Sequence, residues 1–168
     1  MNEPRIRLAR RMDLASLPAI EDSGAETFAR AGVPLADGSP PAPHEQWAKA
    51  VAAGALWVVE DDGGVFGFLA GEVIDGGLHI LEIDVIIERQ QRGHGRRLMQ
   101  HAIDWARGRG LAAATLTTFR GVRFNGPFYA SLGFMELAPE ATPAWLAEIL
   151  AEEAAAGFED RCAMRLVL

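Results

Sequence analysis

A short glycine-containing turn reads Gln90-Gln91-Arg92-Gly93-His94-Gly95-Arg96-Arg97-Leu98-Met99. It follows a strongly apolar, β-like run, Leu78 to Ile87, and opens a segment with helical periodicity. A strand, a tight turn and a helix start leave several backbone N–H groups free at one point, and the helix dipole adds about half a positive charge there. Glycines let the main chain approach a bulky anion. We therefore expect this junction to bind phosphate.

The spacing of the glycines separates this turn from the two best-known phosphate loops. It has neither the Gly-Lys-Ser/Thr of a P-loop nor the Gly-x-Gly-x-x-Gly of dinucleotide folds. It reads Gln-x-x-Gly-x-Gly, which resembles the pyrophosphate loop of the GCN5-related N-acetyltransferases, the GNAT superfamily. A later stretch resembles the second hallmark of that family, an Asn followed by Tyr-x-x-Leu-Gly-Phe; it reads Asn125-Gly126-Pro127-Phe128-Tyr129-Ala130-Ser131-Leu132-Gly133-Phe134.

Size and composition limit the possible classes of protein. The chain has 168 residues, of which 49% are apolar, so we expect a single domain over residues 1–168 with an ample core. A net charge of −7 argues against nucleic acid as a partner, since that requires clustered Lys and Arg. The single cysteine, Cys162, excludes an intrachain disulfide. The first residues lack a secretory signal, and no apolar run is long enough to cross a membrane, which predicts a soluble, cytoplasmic protein.

Periodicity and turn residues predict an alternation of strands and helices. Asp13 is a plausible N-cap for the first helix, and Pro34 to Pro43 should form an exposed loop. We expect strands at Arg5–Ala9, Leu56–Glu60, Val65–Ala70, Leu78–Ile87, Ala113–Thr118, Phe134–Leu137 and Ala163–Leu168, and helices at Leu14–Phe28, His44–Ala53, Gly93–Gly108, Pro127–Leu132 and Trp145–Ala156. This α/β alternation suits a mixed sheet flanked by helices. The resemblance implies the α/β (α+β) fold of the GNAT family, with a mostly antiparallel central sheet and helices on both faces.

The resemblance also implies where acetyl-CoA, the acyl donor of the family, would bind. The main-chain groups of Ile83, Asp84, Val85 and Ile87 would pair with its pantetheine arm, and an N–H group near Val85 would polarise the thioester oxygen. The pyrophosphate would be held by the N–H groups of Gln91, Arg92, Gly93, His94, Gly95 and Arg96. Arg92, Arg96 or Arg97 could add charge-assisted contacts, or two of the three could face solvent.

Two residues of the second hallmark have further implied roles. Tyr129 corresponds to a tyrosine that lies near the coenzyme sulfur in relatives, and its phenol, with an ordinary pKa of about 10, suits protonation of a departing thiolate. The alternative is an aromatic side chain that packs a short helix. Asn125 stands nearly one helical turn closer to the tyrosine than in many relatives. It could contact the coenzyme or cap the helix.

For deprotonation of an amine, the central strand offers His79, Glu82 and Asp84. Strand alternation would place His79 on one face and the two carboxylates on the other. By resemblance, some relatives use a base at the position of His79, whereas others use an acidic group at that of Glu82. We prefer Glu82, because a carboxylate also attracts a cationic amine, and place His79 second. Either residue could instead be structural.

The remaining features favour direct transfer without a metal. The four histidines show no metal-ligand spacing, so no catalytic metal is expected. No serine sits in a nucleophile elbow. By resemblance, we expect an acetyl-CoA-dependent N-acetyltransferase that acts on a small-molecule amine through a ternary complex. The alternatives are acetylation of a protein N-terminus or lysine, and a non-catalytic coenzyme A sensor. Family members commonly form homodimers, but no interface is evident from the sequence.

Overall fold

The computed structural model describes residues 3–33 and 44–168. The predicted loop at 34–43 lies outside these residues. The strands are β1 (Arg5–Leu8), β2 (Leu56–Asp61), β3 (Gly64–Ile74), β4 (Gly77–Val85), β5 (Ala113–Phe119), β6 (Met135–Glu136) and β7 (Arg161–Val167). The helices are α1 (Leu17–Arg30), α2 (His44–Ala52), α3 (His94–Gly108), α4 (Gly126–Ala130) and α5 (Ala144–Ala155), with 3-10 turns at Arg11–Ser16, Ile87–Arg89 and Pro139–Ala141.

The described strands form one sheet in the order β1-β2-β3-β4-β5-β7-β6. Neighbours are antiparallel except β4 and β5, which are parallel. This confirms the predicted mixed, mostly antiparallel sheet. Asp13 does not cap the first helix as predicted. It lies inside the 3-10 turn that precedes α1, where its carboxylate accepts hydrogen bonds from the Arg10 N–H and the Arg7 guanidinium.

Two hydrophobic cores lie on opposite faces of the sheet. On one face Trp57 and Val59 of β2 pack with α3, whose buried side includes Leu98 and Ala102. On the other face, alternate residues of β2 pack with the first helices in a cluster that includes Leu14, Leu17, Ile20, Trp47, Leu56, Val58 and Phe68. The alternation of side chains along β2 therefore separates the two layers. None of the helices in residues 3–33 and 44–168 is long and apolar enough to cross a membrane.

A β-bulge interrupts the pairing of β3 with β4. Ala70 pairs with Glu82, whereas the next residue, Gly71, pairs with Ile80, so Leu81 is extra. Before the bulge, Leu78 and Ile80 pack in the α3 core; after it, Ile83 and Val85 do so, while Leu81 packs in the opposite core. One extra residue reverses the alternation that follows it.

The bulge makes one sequence-based prediction wrong. His79 does not lie on the face opposite Glu82 and Asp84; all three point away from α3. His79 is 3% exposed, its Nδ1 lies 3.0 Å from Thr115 Oγ1, and its ring centroid lies 5.2 Å from that of Trp145 in α5. Burial lowers the pKa of His79 to about 4, against a smaller opposing effect of Glu153. His79 is therefore a neutral, buried histidine near neutral pH.

Replacing His79 by glutamine should reduce the acid sensitivity of the fold. An unfolded histidine takes up a proton below about pH 6.5, whereas His79 in the folded chain does so only near pH 4. Its contribution to stability should therefore fall by up to about 3 kcal/mol as the pH drops through this window. Urea unfolding at several pH values should show this loss in the parent chain and in the control His101→Gln, which alters an exposed histidine. Equal losses in His79→Gln and the parent would contradict the assignment.

Candidate active site

The parallel strands β4 and β5 separate soon after they begin to pair. Only Leu78 with Ala114 and His79 with Thr115 are partners. Beyond these pairs, β4 continues to Val85 and β5 continues to Phe119, and residues of both strands line a cavity of about 1000 Å³. The cavity is also lined by α1, by the turn before α3 and by α4. The parted strands therefore open a cleft inside the sheet.

Main-chain groups of β4 point into this cleft. The Ile86 N–H donates to the Phe66 carbonyl on the β3 side. Because such groups alternate in direction along a strand, those of Ile83 and Val85 point to the side that β5 leaves open. The Val85 carbonyl already accepts a hydrogen bond of 2.8 Å from Gln90 Nε2. The Val85 N–H and the groups of Ile83 remain directed at the cleft.

Asp84 and Ile87 were also expected to pair with the pantetheine arm through their main-chain groups, but these groups do not point freely into the cleft. The main-chain groups of Asp84 face β3 by the same alternation, and its side chain lines the cavity. Ile87 also lines the cavity, but its N–H donates to Ser23 Oγ at 2.8 Å. That N–H group is therefore not free for the pantetheine arm, contrary to the expectation.

The turn before α3 presents free N–H groups to the same cavity. Gln91 and Gly93 adopt left-handed conformations, with φ of 58° and 83°, and α3 begins directly after Gly93. The first N–H groups of a helix have no partner within it, so those of His94, Gly95 and Arg96 are available. A Cβ at Gly95 would have no neighbour closer than Phe128 Cζ at 3.9 Å. A methyl group at this position would therefore meet the protein only at ordinary van der Waals distances.

The three arginines of the turn have different surroundings. Arg96 lines the cavity, donates to Ser131 Oγ at 2.7 Å and lies 5.8 Å from the Phe128 ring centroid. Arg92 is exposed and is not among the residues that line the cavity. Arg97 donates to the Pro4 carbonyl instead. Of the three, only Arg96 is placed to contact a ligand in the cleft.

His94 is buried at the start of α3 and lines the cavity. Its ring centroid lies 5.0 Å from that of Phe66, and its Nδ1 has no hydrogen-bond partner within the described residues. Burial lowers the pKa of His94, and the charges of Arg97, Arg89 and Arg92 lower it further. A neutral imidazole with an unpaired nitrogen is consistent with a polar ligand at this turn.

Glu82 and Asp84 line the cavity side by side. Both side chains are half-buried. Burial raises the pKa of both carboxyl groups, and the charge of Glu82 raises that of Asp84 further. The hydrogen bond between them lowers the pKa of Glu82 but raises that of Asp84. The pair therefore disfavours a negative charge on both carboxyl groups at once.

Tyr129 of α4 faces the same carboxyl pair. It is 7% exposed and lines the cavity, and its hydroxyl has no hydrogen bond to any described residue. Burial raises the pKa of Tyr129, as do the charges of Glu82 and Asp84. The phenol therefore stays protonated at neutral pH.

Asn125 also lines the cavity, at the N-terminus of α4. Its side chain makes no capping hydrogen bond to the helix, and its Nδ2 donates instead to the Phe124 carbonyl at 3.2 Å. His79, in contrast, is not among the residues that line the cavity. The cleft thus brings together Tyr129, Glu82 and Asn125 but leaves His79 apart. Within residues 3–33 and 44–168, no group of three or more acidic, His or Cys side chains could hold a metal ion.

Several cavity residues were not identified from the sequence. Gln90 donates from Nε2 to both Thr27 Oγ1 and the Val85 carbonyl, which ties α1 to the end of β4. Arg89 forms an ion pair of 2.8 Å with Asp61 and lies over the Phe66 ring. Only Gln90 carried a signal, as the first position of the Gln-x-x-Gly-x-Gly pattern. Phe28 of α1 also lines the cavity, whereas Trp47 of α2 packs in a core.

Solved structures with the same fold include several acetyltransferases. The PaiA N-acetyltransferase from Thermoplasma acidophilum, in complex with coenzyme A, has a TM-score of 0.73 and 15% identity over 99% of this chain and 100% of that one. The ribosomal-protein-S18-alanine N-acetyltransferase from Escherichia coli has a TM-score of 0.71 and 21% identity, over 98% of this chain and 94% of that one. At such identities these likenesses concern the fold.

N-acetylglutamate synthase from Neisseria gonorrhoeae, complexed with coenzyme A and N-acetyl-glutamate, has a TM-score of 0.70 and 19% identity over all of this chain. The chain spans 36% of the length of that enzyme. The family model described as "Acetyltransferase (GNAT) family" matches residues 21–134, which is more than half of the chain. This chain therefore belongs to the acetyltransferase (GNAT) family.

Proposed function

We propose that this protein transfers the acetyl group of acetyl-CoA directly to the primary amine of a small molecule, within a ternary complex. One observation carries the proposal. A single cleft joins the free N–H groups at the start of α3, the open edge of β4, the half-buried carboxyl groups of Glu82 and Asp84, and a protonated tyrosine. Phosphate recognition, carbonyl polarisation, a base and an acid are the four requirements of acyl transfer from a thioester to an amine.

The residues at the turn fit the diphosphate of coenzyme A. The N–H groups of His94, Gly95 and Arg96 point out of the helix N-terminus, and the positive end of the dipole favours an anion there. Gly95 has no side chain that could block the approach of a diphosphate to these groups. The main chain of Ile83 and Val85 would hold the pantetheine arm as an added strand, as in β-strand addition. Asn125 is placed to add a polar contact from α4.

When bound, acetyl-CoA supplies a thioester carbonyl for attack by the amine and a thiolate that departs. The Val85 N–H is directed at the cleft, where it would donate to the carbonyl oxygen and stabilise the developing negative charge. The Glu82 carboxylate attracts the ammonium group of the acceptor and removes its proton, directly or through one water molecule. The Tyr129 hydroxyl donates its proton to the departing thiolate. His79 is retained as the second candidate base, which would need a route from the cavity.

The size of the cavity supports a small acceptor. A volume of about 1000 Å³ must hold the reactive end of the coenzyme together with the acceptor, and small-molecule sites are commonly of this size. In addition, the resemblance to the GNAT family places Thr117 and Thr118 at positions of β5 where some relatives that acetylate protein N-termini carry a glutamate. The Thr117 hydroxyl donates to Glu153 Oε1 at 2.7 Å. The alternative acceptor is a protein N-terminus or lysine. The non-catalytic alternative is a sensor that binds coenzyme A.

Replacing Gly95 by alanine should separate folding from coenzyme binding. Gly95 lies within α3, where alanine is favoured over glycine by about 1 kcal/mol. The new methyl group meets only ordinary contacts in the protein but occupies the space proposed for the diphosphate. We expect an unchanged or higher melting temperature together with at least about tenfold weaker binding of coenzyme A, a loss of ~1.4 kcal/mol. Calorimetric titration measures the affinity, with Gly108→Ala, at the far end of the same helix, as the control. Unchanged affinity would argue against a diphosphate at Gly95.

Replacing Glu82 by glutamine should lower turnover more than it lowers coenzyme affinity. Loss of a general base typically reduces the rate about 10²-fold or more. In the parent, turnover should rise with pH through a pKa above the ordinary range of a carboxyl group, because the folded site favours its protonated form. The variant should lose this limb of the pH–rate profile. Glu72→Gln, which alters an exposed carboxylate on β3, is the matched control. Equal losses of turnover and coenzyme affinity would refute the assigned role.

Replacing Tyr129 by phenylalanine tests the proposed acid and separates catalysis from simple binding. The hydroxyl has no partner among the described residues, so its removal should leave the melting temperature nearly unchanged. Release of coenzyme A with a reactive amine should slow by about 10²-fold, while the dissociation constant of coenzyme A stays the same. If release continued at the parental rate, Tyr129 would not be the acid and a sensor function would gain support.

A further inference from the structure

Four phenylalanines form an aromatic surface inside the cavity, here called the phenylalanine wall: Phe28, Phe119, Phe124 and Phe158. They come from α1, the end of β5, the segment before α4 and the segment before β7. The ring centroids of Phe28 and Phe119 are 5.6 Å apart, those of Phe28 and Phe124 5.1 Å, and those of Phe119 and Phe158 6.1 Å. Separate segments thus bring four rings into one contiguous cluster.

The wall is not part of either hydrophobic core. None of its four members belongs to the cluster under α3 or to the cluster under α1 and α2. Phe124 is 37% exposed, and Phe28 and Phe158 keep partial exposure. Large apolar side chains that are gathered together yet left open to a cavity commonly mark a binding surface. The wall therefore suits an apolar group of a ligand.

The wall lies next to the carboxyl pair. Arg161 connects the two, since its guanidinium carbon lies 4.6 Å from the Phe119 ring centroid and its charge acts on both Glu82 and Tyr129. Glu21 of α1 also lines the cavity, and its charge acts on both Glu82 and Asp84. A molecule that covers the rings can therefore direct a cationic group to the carboxylates.

The arginines at this end of the cavity already have carboxylate partners. Arg161 donates to both oxygens of Glu153, at 2.7 and 2.9 Å, and Arg30 pairs with Glu26 one helical turn away. Among the described residues, Arg89 and Arg96 also line the cavity, but they belong to the turn that would hold the coenzyme. A carboxylate on the acceptor would thus meet acidic groups and arginines that are already neutralised, which disfavours its binding.

From these observations we infer that the acceptor is a primary amine whose carbon skeleton ends in an aromatic ring and carries no carboxylate. The ring packs against the phenylalanine wall, in the offset or edge-to-face geometry that aromatic pairs prefer. The ammonium points toward Glu82 and Asp84. This inference rests on the proposed function and names the class of acceptor for the same cleft.

Binding of matched amines tests the inference independently of turnover. The probes are 2-phenylethylamine, n-butylamine without the ring, L-phenylalanine with an added carboxylate, and putrescine with a second ammonium. Each is titrated calorimetrically into the protein saturated with coenzyme A. We expect 2-phenylethylamine to bind at least about tenfold more tightly than each of the other three, because only it matches both the wall and the carboxylates. Equal or tighter binding of any other probe would overturn the inference.

The same titrations distinguish a failure of the proposed acetyl transfer from a failure of the inference about the acceptor. If coenzyme A did not bind at all, the acyl-transfer proposal would fail. The same four amines, titrated into the protein alone, would still decide whether the wall selects an aromatic amine. If coenzyme A bound and n-butylamine was acetylated as efficiently as 2-phenylethylamine, the proposed function would stand and the inference about the acceptor would be wrong.

The variant Phe124→Ala tests whether the phenylalanine wall is responsible for the tighter binding of 2-phenylethylamine. Because Phe124 is partly exposed and outside both cores, the variant should fold. It should bind 2-phenylethylamine about five- to tenfold more weakly and n-butylamine as before. Met135→Ala, which removes an apolar side chain that is 74% exposed outside the cavity, is the control. Phe124→Leu keeps most of the volume and should show the same selective loss. An equal loss for both amines in these variants would contradict a role in recognising the ring.

Discussion

The extra residue at Leu81 in β4 is the constraint on which the rest of this structure depends. It reverses the side-chain alternation in the second half of the strand, so that Glu82 and Asp84 face the same side as His79. Close to the bulge, β4 also stops pairing with β5. The bulge therefore lies next to the open edge of β4 and also sets the face on which the carboxyl groups of Glu82 and Asp84 lie. Bulges next to functional sites commonly re-aim side chains in this way.

The cleft holds polar groups that a closed sheet would not tolerate. Two adjacent, half-buried carboxyl groups have raised pKa values, which means that the folded state holds a proton more tightly than the unfolded chain does. Such a pair makes folding less favourable as the pH rises through these values. Tyr129 remains protonated for the same reason of burial and nearby negative charge. A site that disfavours charge keeps the proposed acid protonated, whereas the proposed base, Glu82, acts only above its raised pKa.

Much of the fold was predictable because it depends on local signals. The apolar runs Leu56–Glu60 and Val65–Ala70 predicted β2 and β3, and the glycines at 93 and 95 predicted the junction at the start of α3. The face on which His79 lies was predicted wrongly because strict alternation was assumed along the whole strand. Polar residues of this strand occur at an odd position, His79, and then at even positions, Glu82 and Asp84, with the apolar pair Ile80-Leu81 between them. This change of phase is what one extra residue produces, but only the pairing of β4 with β3 shows that the extra residue is Leu81.

The candidate site also has a part that short sequence motifs predict and a part that they do not. The Gln-x-x-Gly-x-Gly pattern and Tyr129 are consecutive in sequence or carried by a short motif, and the structure places them around one cavity. The phenylalanine wall is assembled from four separate segments, and no spacing links them. The Ser23 hydroxyl that occupies the Ile87 N–H comes from α1, far away in the chain. Contacts of this kind appear only once the tertiary packing is known.

A crystal structure with bound acetyl-CoA is the most direct test of the account. We expect the diphosphate to lie within hydrogen-bond distance of the N–H groups of His94, Gly95 and Arg96. The thioester oxygen should lie close to the Val85 N–H, between β4 and β5. The Tyr129 hydroxyl should then lie near the sulfur. A coenzyme that bound elsewhere, or a protein that left the cleft empty at saturating concentration, would contradict the central claim that the parted strands form the acyl-transfer site.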